Sequence, residues 1–200
     1  MKYKNINIAL SIIILALLAA CTSRTQEQQG DTTEQSASSD TTKKAASVFE
    51  SVDTTAKTGV NNVLEQYFEM IHSLAKDSVT GAKEAAKKLV GTLHHVDTSK
   101  LTEDQKAFYH QREVAISQGL DDIARSANLD DVREATASIS ENLYQLIKAF
   151  HGNTGNVYYN YCPMARDNAG AHWMSDVSEI QNPYMGQAMP HCGSTKEVLQ

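Results

Sequence analysis

No proline interrupts the first 162 residues of this chain; all three lie at 163, 183 and 190. A proline inside a helix removes a hydrogen bond and clashes with the preceding turn. The sequence therefore divides into a long body that can be helical and a tail that cannot be helical throughout. The division is sharpened by composition, because half the glycines, half the tyrosines and the single tryptophan fall after residue 151.

Within the body, apolar residues recur at helical spacing in four segments. The first places Val60, Val63, Leu64, Tyr67, Phe68, Ile71 and Leu74 on one stripe. The second carries Val79, Ala82, Ala86, Leu89 and Leu93 after a capping residue, Ser78. A third opens at Thr102 with Gln105 three residues on, a capping-box spacing, and carries Phe108, Ala115, Ile116, Leu120 and Ile123. The fourth alternates by three and four through Leu129, Val132, Thr136, Ile139, Leu143, Leu146 and Phe150, with Gly152 as its C-terminal stop. Short connections favour antiparallel neighbours. The expected fold is all-α, an up-down four-helix bundle followed by a loop-rich C-terminal segment packed on it. No helix carries the Glu-x-x-His pairs of a di-iron bundle. His72, His94, His95 and His110 read as surface or helix-end residues, so the bundle is expected to be a scaffold.

The first 46 residues are of another kind. Lys2 and Lys4 precede an apolar run from Ile6 to Leu18, shorter than the ~20 residues needed to span a membrane as a helix but suited to a secretory signal. Leu18-Ala19-Ala20-Cys21 resembles the lipobox of bacterial lipoproteins. The resemblance implies cleavage after residue 20 and acylation of Cys21. Thr22-Ser23-Arg24 follow the cysteine without the acidic residue that retains lipoproteins at the inner membrane, so the outer membrane, facing the periplasm, is the expected location. Residues 22 to about 46 are Ser, Thr, Gln, Asp and Glu with almost no apolar side chains, a composition too polar to build a core. The expected organisation is a signal peptide over 1–20, a tether over 21–46 and one domain over 47–200. Loss of Lys2 and Lys4 takes the formal charge from −6 to −8. That balance, with no basic patch, argues against a nucleic-acid partner.

In the tail, Val157 to Tyr161 is rich in strand formers, and the prolines with Gly170, Gly186 and Gly193 then force turns. With Cys21 acylated, Cys162 and Cys192 remain. Each has a methionine close by, in Cys162-Pro163-Met164 and in Met189-Pro190-His191-Cys192. Thiolate and thioether are soft donors that favour Cu(I). His172, Met174, Met185 and His191 lie between or beside them, and four of the six methionines fall in this segment. In an exported chain two cysteines also suggest a disulfide, here closing a loop of about thirty residues, worth ~3–4 kcal/mol in the chain-entropy model. The two states can interconvert, with metal held by the reduced pair. A catalytic thiol, with Cys162 and His172 as the pair, lacks a visible orienting residue or oxyanion feature.

Tyr161-Cys162-Pro163-Met164, then Gly170-Ala171 and Trp173, then Asn182-Pro183-Tyr184-x-Gly186, then Met189-x-x-Cys192-Gly193 form a pattern over a region of roughly 55–200. It resembles a helical domain family of unknown function found in bacterial lipoproteins and as a C-terminal extension of heavy-metal efflux adaptors of the CusB type. More loosely, the Cys-Pro-Met start and Cys-Gly end resemble the small heavy-metal-binding module of such adaptors. That module has Cys-x-x-Cys where this chain has Met189-x-x-Cys192, a departure that favours a Cys/Met copper site over a zinc-type one. The resemblance implies copper or silver handling in the periplasm.

The expected function is thus a non-enzymatic, periplasm-facing lipoprotein. It would bind Cu(I), with Ag(I) or Zn as alternative ions, through Cys162, Met164, Met189 and Cys192, with His191 and His172 in reserve. Its role would be to buffer the metal or pass it to an efflux adaptor. The alternative is a lipoprotein without metal whose Cys162–Cys192 disulfide staples a protein-interaction surface.

Overall fold

Four capped helices account for the body. In the computed structural model, which describes residues 49–200, α1 spans Thr54–Ala75, α2 Val79–His94, α3 Glu103–Arg125 and α4 Leu129–Phe150. The signal segment expected over 1–20, the acylation site Cys21 and the tether over 21–46 lie outside the described residues. Each helix start has a side-chain acceptor for an otherwise unpaired backbone N–H: Asp53 for α1, Ser78 for α2, Thr102 for α3 and Asn128 for α4. The capping box expected at Thr102 and Gln105 is complete, and Gln105 Nε2 also donates to the Ser51 carbonyl at 2.7 Å.

Consecutive helices pack side by side, and α4 closes the ring against α1. The expected stripes face inward: Val60, Val63, Leu64, Tyr67, Ile71 and Leu74 from α1 are buried, as are Val132, Thr136, Ile139, Leu143, Leu146 and Phe150 from α4. Phe108 is only partly buried because it works at the end of the bundle, edge-on to Phe49 at 5.6 Å and stacked near Phe150 at 6.3 Å. α4 stops one residue earlier than the glycine suggested. His151 takes the left-handed position (φ 51°), while the Gly152 N–H closes on the Ile147 carbonyl at 3.1 Å. A Cβ at Gly152 would overlap the Val60 side chain, so this glycine is required by close approach to α1. Among the described residues no helix is long and apolar enough to cross a membrane.

The tail corrects the all-α expectation. It forms a three-stranded antiparallel sheet of order β2-β1-β3, with β1 at Val157–Cys162, β2 at Ala171–Ser175 and β3 at Ser194–Leu199. The first strand lies where strand formers were noted. The other two, Ala-His-Trp-Met-Ser and Ser-Thr-Lys-Glu-Val-Leu, are short and compositionally weak, and their pairing depends on partners distant in sequence. Between β1 and β2, residues Arg166, Asp167 and Asn168 take three successive left-handed conformations (φ 54°, 52° and 69°).

Several contacts fasten the tail to the bundle. Tyr144 of α4 stacks on Tyr159 of β1 at 3.7 Å, and Glu141 of α4 accepts the Tyr159 hydroxyl at 2.8 Å. Lys148 of α4 and Glu197 of β3 pair at 3.0 Å beside Tyr144, whose hydroxyl also donates to Glu197. Asp77, in the α1–α2 turn, pairs with Arg133 of α4 at 2.5 Å and accepts at 3.1 Å the N–H of Gln187, in the segment between β2 and β3.

Candidate thiol and thioether site

The β1–β3 register explains how two cysteines thirty positions apart meet. Tyr161 of β1 lies opposite Ser194 of β3. Cys162 therefore sits at the end of one strand and Cys192 in the turn that leads into its neighbour. They are joined as a disulfide, with Cα atoms 5.8 Å apart. Cys162 is fully buried and Cys192 half-buried.

Asn182 holds this turn in place, and sequence reasoning noted it only as part of a motif. It is fully buried and uses every polar group it has. Its amide Nδ2 donates to the Cys192 carbonyl at 2.6 Å, and Oδ1 accepts the N–H groups of Tyr184 (2.8 Å) and Met185 (3.0 Å). Its own N–H donates to the Pro190 carbonyl at 2.8 Å, and Cys192 N–H donates to the Met189 carbonyl at 3.2 Å. An Asn-Pro dipeptide reads from sequence as a turn; that the amide spans ten residues to reach a cysteine is a tertiary fact. Gly193 follows with φ 137°, and a Cβ there would lie 2.8 Å from the Trp173 ring and 2.9 Å from the Tyr161 carbonyl. The indole of Trp173 is thus packed directly beside the disulfide turn.

The other expected donors have surroundings of their own. Met164, 46% exposed, lines a cavity with Met185, Arg133 and Tyr184. Met189, 37% exposed, sits on the turn before Cys192. His172 is held between rings, with Tyr159 parallel to it at 4.8 Å and Tyr161 at 4.5 Å. Burial lowers its pKa below 6.5, with Lys196 acting in the same sense and Glu141 against it. His191 Nδ1 lies 3.0 Å from the Ile180 carbonyl. The fold therefore joins Cys162 and Cys192, leaves Met164 and Met189 exposed, and gives both histidines other partners. Among the described residues no group of three or more His, Cys, Asp or Glu side chains is placed to hold a metal ion. Any soft ion would rest on the two cysteines together with thioethers.

The comparisons bear on the bundle and not on this site. No curated protein and no solved structure matched the chain. The segment 63–155, from within α1 to just before β1, matches the model of a protein family of unknown function (DUF3347).

Proposed function

We propose that this is a periplasm-facing lipoprotein without enzymatic activity, tethered through acylated Cys21, that binds a soft monovalent ion on the reduced Cys162–Cys192 pair. Cu(I) is a soft ion that thiolates favour. The observation that carries the reading is the juxtaposition of these two side chains, Cα to Cα 5.8 Å, in a segment that also exposes Met164 and Met189. Opening the pair consumes two electrons and two protons from a dithiol reductant, which is itself oxidised. Metal binding then displaces both thiol protons, so affinity falls on acidification. The role would be to buffer copper or hand it to an efflux adaptor, with the closed disulfide as the metal-free resting form.

The test is an anaerobic Cu(I) titration of the reduced full chain carrying Cys21→Ser, so that only the pair contributes thiols. One Cu(I) per chain is expected, lost in the Cys162→Ser/Cys192→Ser variant. No binding by the reduced chain ends the proposal.

A second reading, from a different class, is favoured by the full burial of Cys162. The disulfide is then a permanent staple, and the tail is a docking surface for another periplasmic protein. It predicts no free Cys162 or Cys192 thiol in protein purified without reductant, no bound metal, and partner binding unchanged by Met164→Leu with Met189→Leu.

A further inference from the structure

We infer that the cavity between the start of α4 and the tail is a second soft-cation site, built from thioethers and open to Ag(I) or Cu(I) while the disulfide is closed. The inference shares the soft-metal chemistry of the reading above but uses neither cysteine, so each can fail alone.

The cavity, of about 290 Å³, is lined by two methionines twenty-one positions apart, Met164 and Met185. Thioether sulfur is a soft donor that prefers Cu(I) and ions like it, and methionine has three rotatable bonds with which to reach an ion. Met164 is 46% exposed, so its side chain can turn inward without disturbing a packed core.

The walls favour a cation. Arg133 is held by Asp77 at 2.5 Å and by the Pro183 carbonyl at 2.8 Å. Arg166 is taken up by Glu134, with one contact at 2.7 Å. Both guanidinium charges are thereby matched. Asp130 and Asp167 also line the cavity, and neither has an ion-pair partner among the described residues. The balance of the lining is negative, with two carboxylates available beside two thioethers.

Arg166 and Asp167, which follow Met164 after Ala165, take left-handed conformations with Asn168, and both line the cavity with Met164. A thioether is not consumed when Cys162 and Cys192 oxidise, so such a site remains available in an oxidising compartment.

The experiment uses the full chain with Cys21→Ser, air-oxidised until no thiol remains, titrated with silver nitrate in chloride-free buffer. The expected result is one Ag(I) per chain, bound on the order of tenfold or more weaker in Met164→Leu with Met185→Leu. Leucine conserves volume at both positions, and the thermal midpoint checks that the variant folds. As a second readout, ¹³C-methyl methionine spectra of the unsubstituted oxidised chain should show the Met164 and Met185 signals moving together up to one equivalent, with those of buried Met70 and Met174 static. No Ag(I) uptake by the oxidised chain, equal uptake by the double variant, or static Met164 and Met185 signals would each overturn the inference.

Discussion

Tyr67, in the middle of α1, accepts the backbone N–H of Met174 in β2 at 3.2 Å. The contact is one end of a chain whose polarity can be worked out. Tyr184 donates its only proton to the His172 carbonyl at 2.8 Å, so at 3.4 Å Ser140 must be the donor to Tyr184. With its own proton used, Ser140 accepts from Tyr67 at 2.7 Å. The chain begins and ends on β2, an edge strand, whose open side would otherwise be a template for another strand. Burial raises the pKa of both tyrosines well above 10, so the chain keeps its protons at any working pH.

Removing a link should therefore cost more than one net hydrogen bond. Tyr67→Phe leaves the Met174 N–H buried without a partner, a loss of about 1–3 kcal/mol. Ser140→Ala breaks the same chain. The double variant should cost less than the sum, because members of one network are coupled. Urea unfolding of the three variants measures this, and strict additivity would show that the groups act separately.

Replacing both Cys162 and Cys192 by alanine removes a cross-link with a sequence separation of 30. The expected loss is ~3–4 kcal/mol in the chain-entropy model. The bundle has its own core, so far-ultraviolet helix signal should persist in the variant at low denaturant. The environment of Trp173, packed against the Cys192–Gly193 turn, should change. Tryptophan fluorescence followed beside circular dichroism separates the two: joint loss would mean that the sheet and bundle fold as one cooperative unit.

The four helices were legible in the sequence because each stripe repeats over about four to six turns and each start carries a capping side chain. Stripes such as Val132–Thr136–Ile139–Leu143–Leu146–Phe150 leave little freedom of register. The sheet was half legible. β1 contains three tyrosines and a valine, whereas β2 and β3 earn their conformation from pairing with it and from Tyr67, Tyr144 and Glu197. Of the candidate site, the meeting of Cys162 and Cys192 was foreseen as one option. That Met164 lines a cavity and that His172 is packed between Tyr159 and Tyr161 was not, because adjacency in sequence to a cysteine does not fix what a side chain packs against.

Asn182→Ala should loosen the disulfide turn specifically. It leaves the Cys192 carbonyl and the Tyr184 and Met185 N–H groups without their side-chain partner, and the combined cost is about 2–4 kcal/mol, since each orphaned buried group costs ~1–3 and the effects overlap. Reduction by dithiothreitol should then be faster than in the parent protein, because Cys192 is released from its clamp. An unchanged reduction rate alongside lowered stability would mean that Asn182 supports the bundle contact and not the turn.

His172 gives the domain a stability that depends on pH near neutrality. Its folded-state pKa lies below the ordinary 6.5, chiefly through burial between Tyr159 and Tyr161. The unfolded chain therefore binds the proton more readily than the folded one. The contribution of the neutral ring is complete above about pH 6.5 and is lost as pH falls through the folded-state value. Glu141, whose charge raises this pKa, and Lys196, whose charge lowers it, should move the midpoint in opposite directions when neutralised: downward in Glu141→Gln and upward in Lys196→Gln. Urea midpoints between pH 7.5 and 5 should fall in the parent protein and fall less in His172→Phe, which keeps a ring in the stack without a titrating group. Equal slopes in the two proteins would assign the acid sensitivity over this range to groups other than His172; the Glu134 carboxyl is not among them, because its hydrogen bond to Arg166 lowers its pKa and its contribution is lost only at still lower pH.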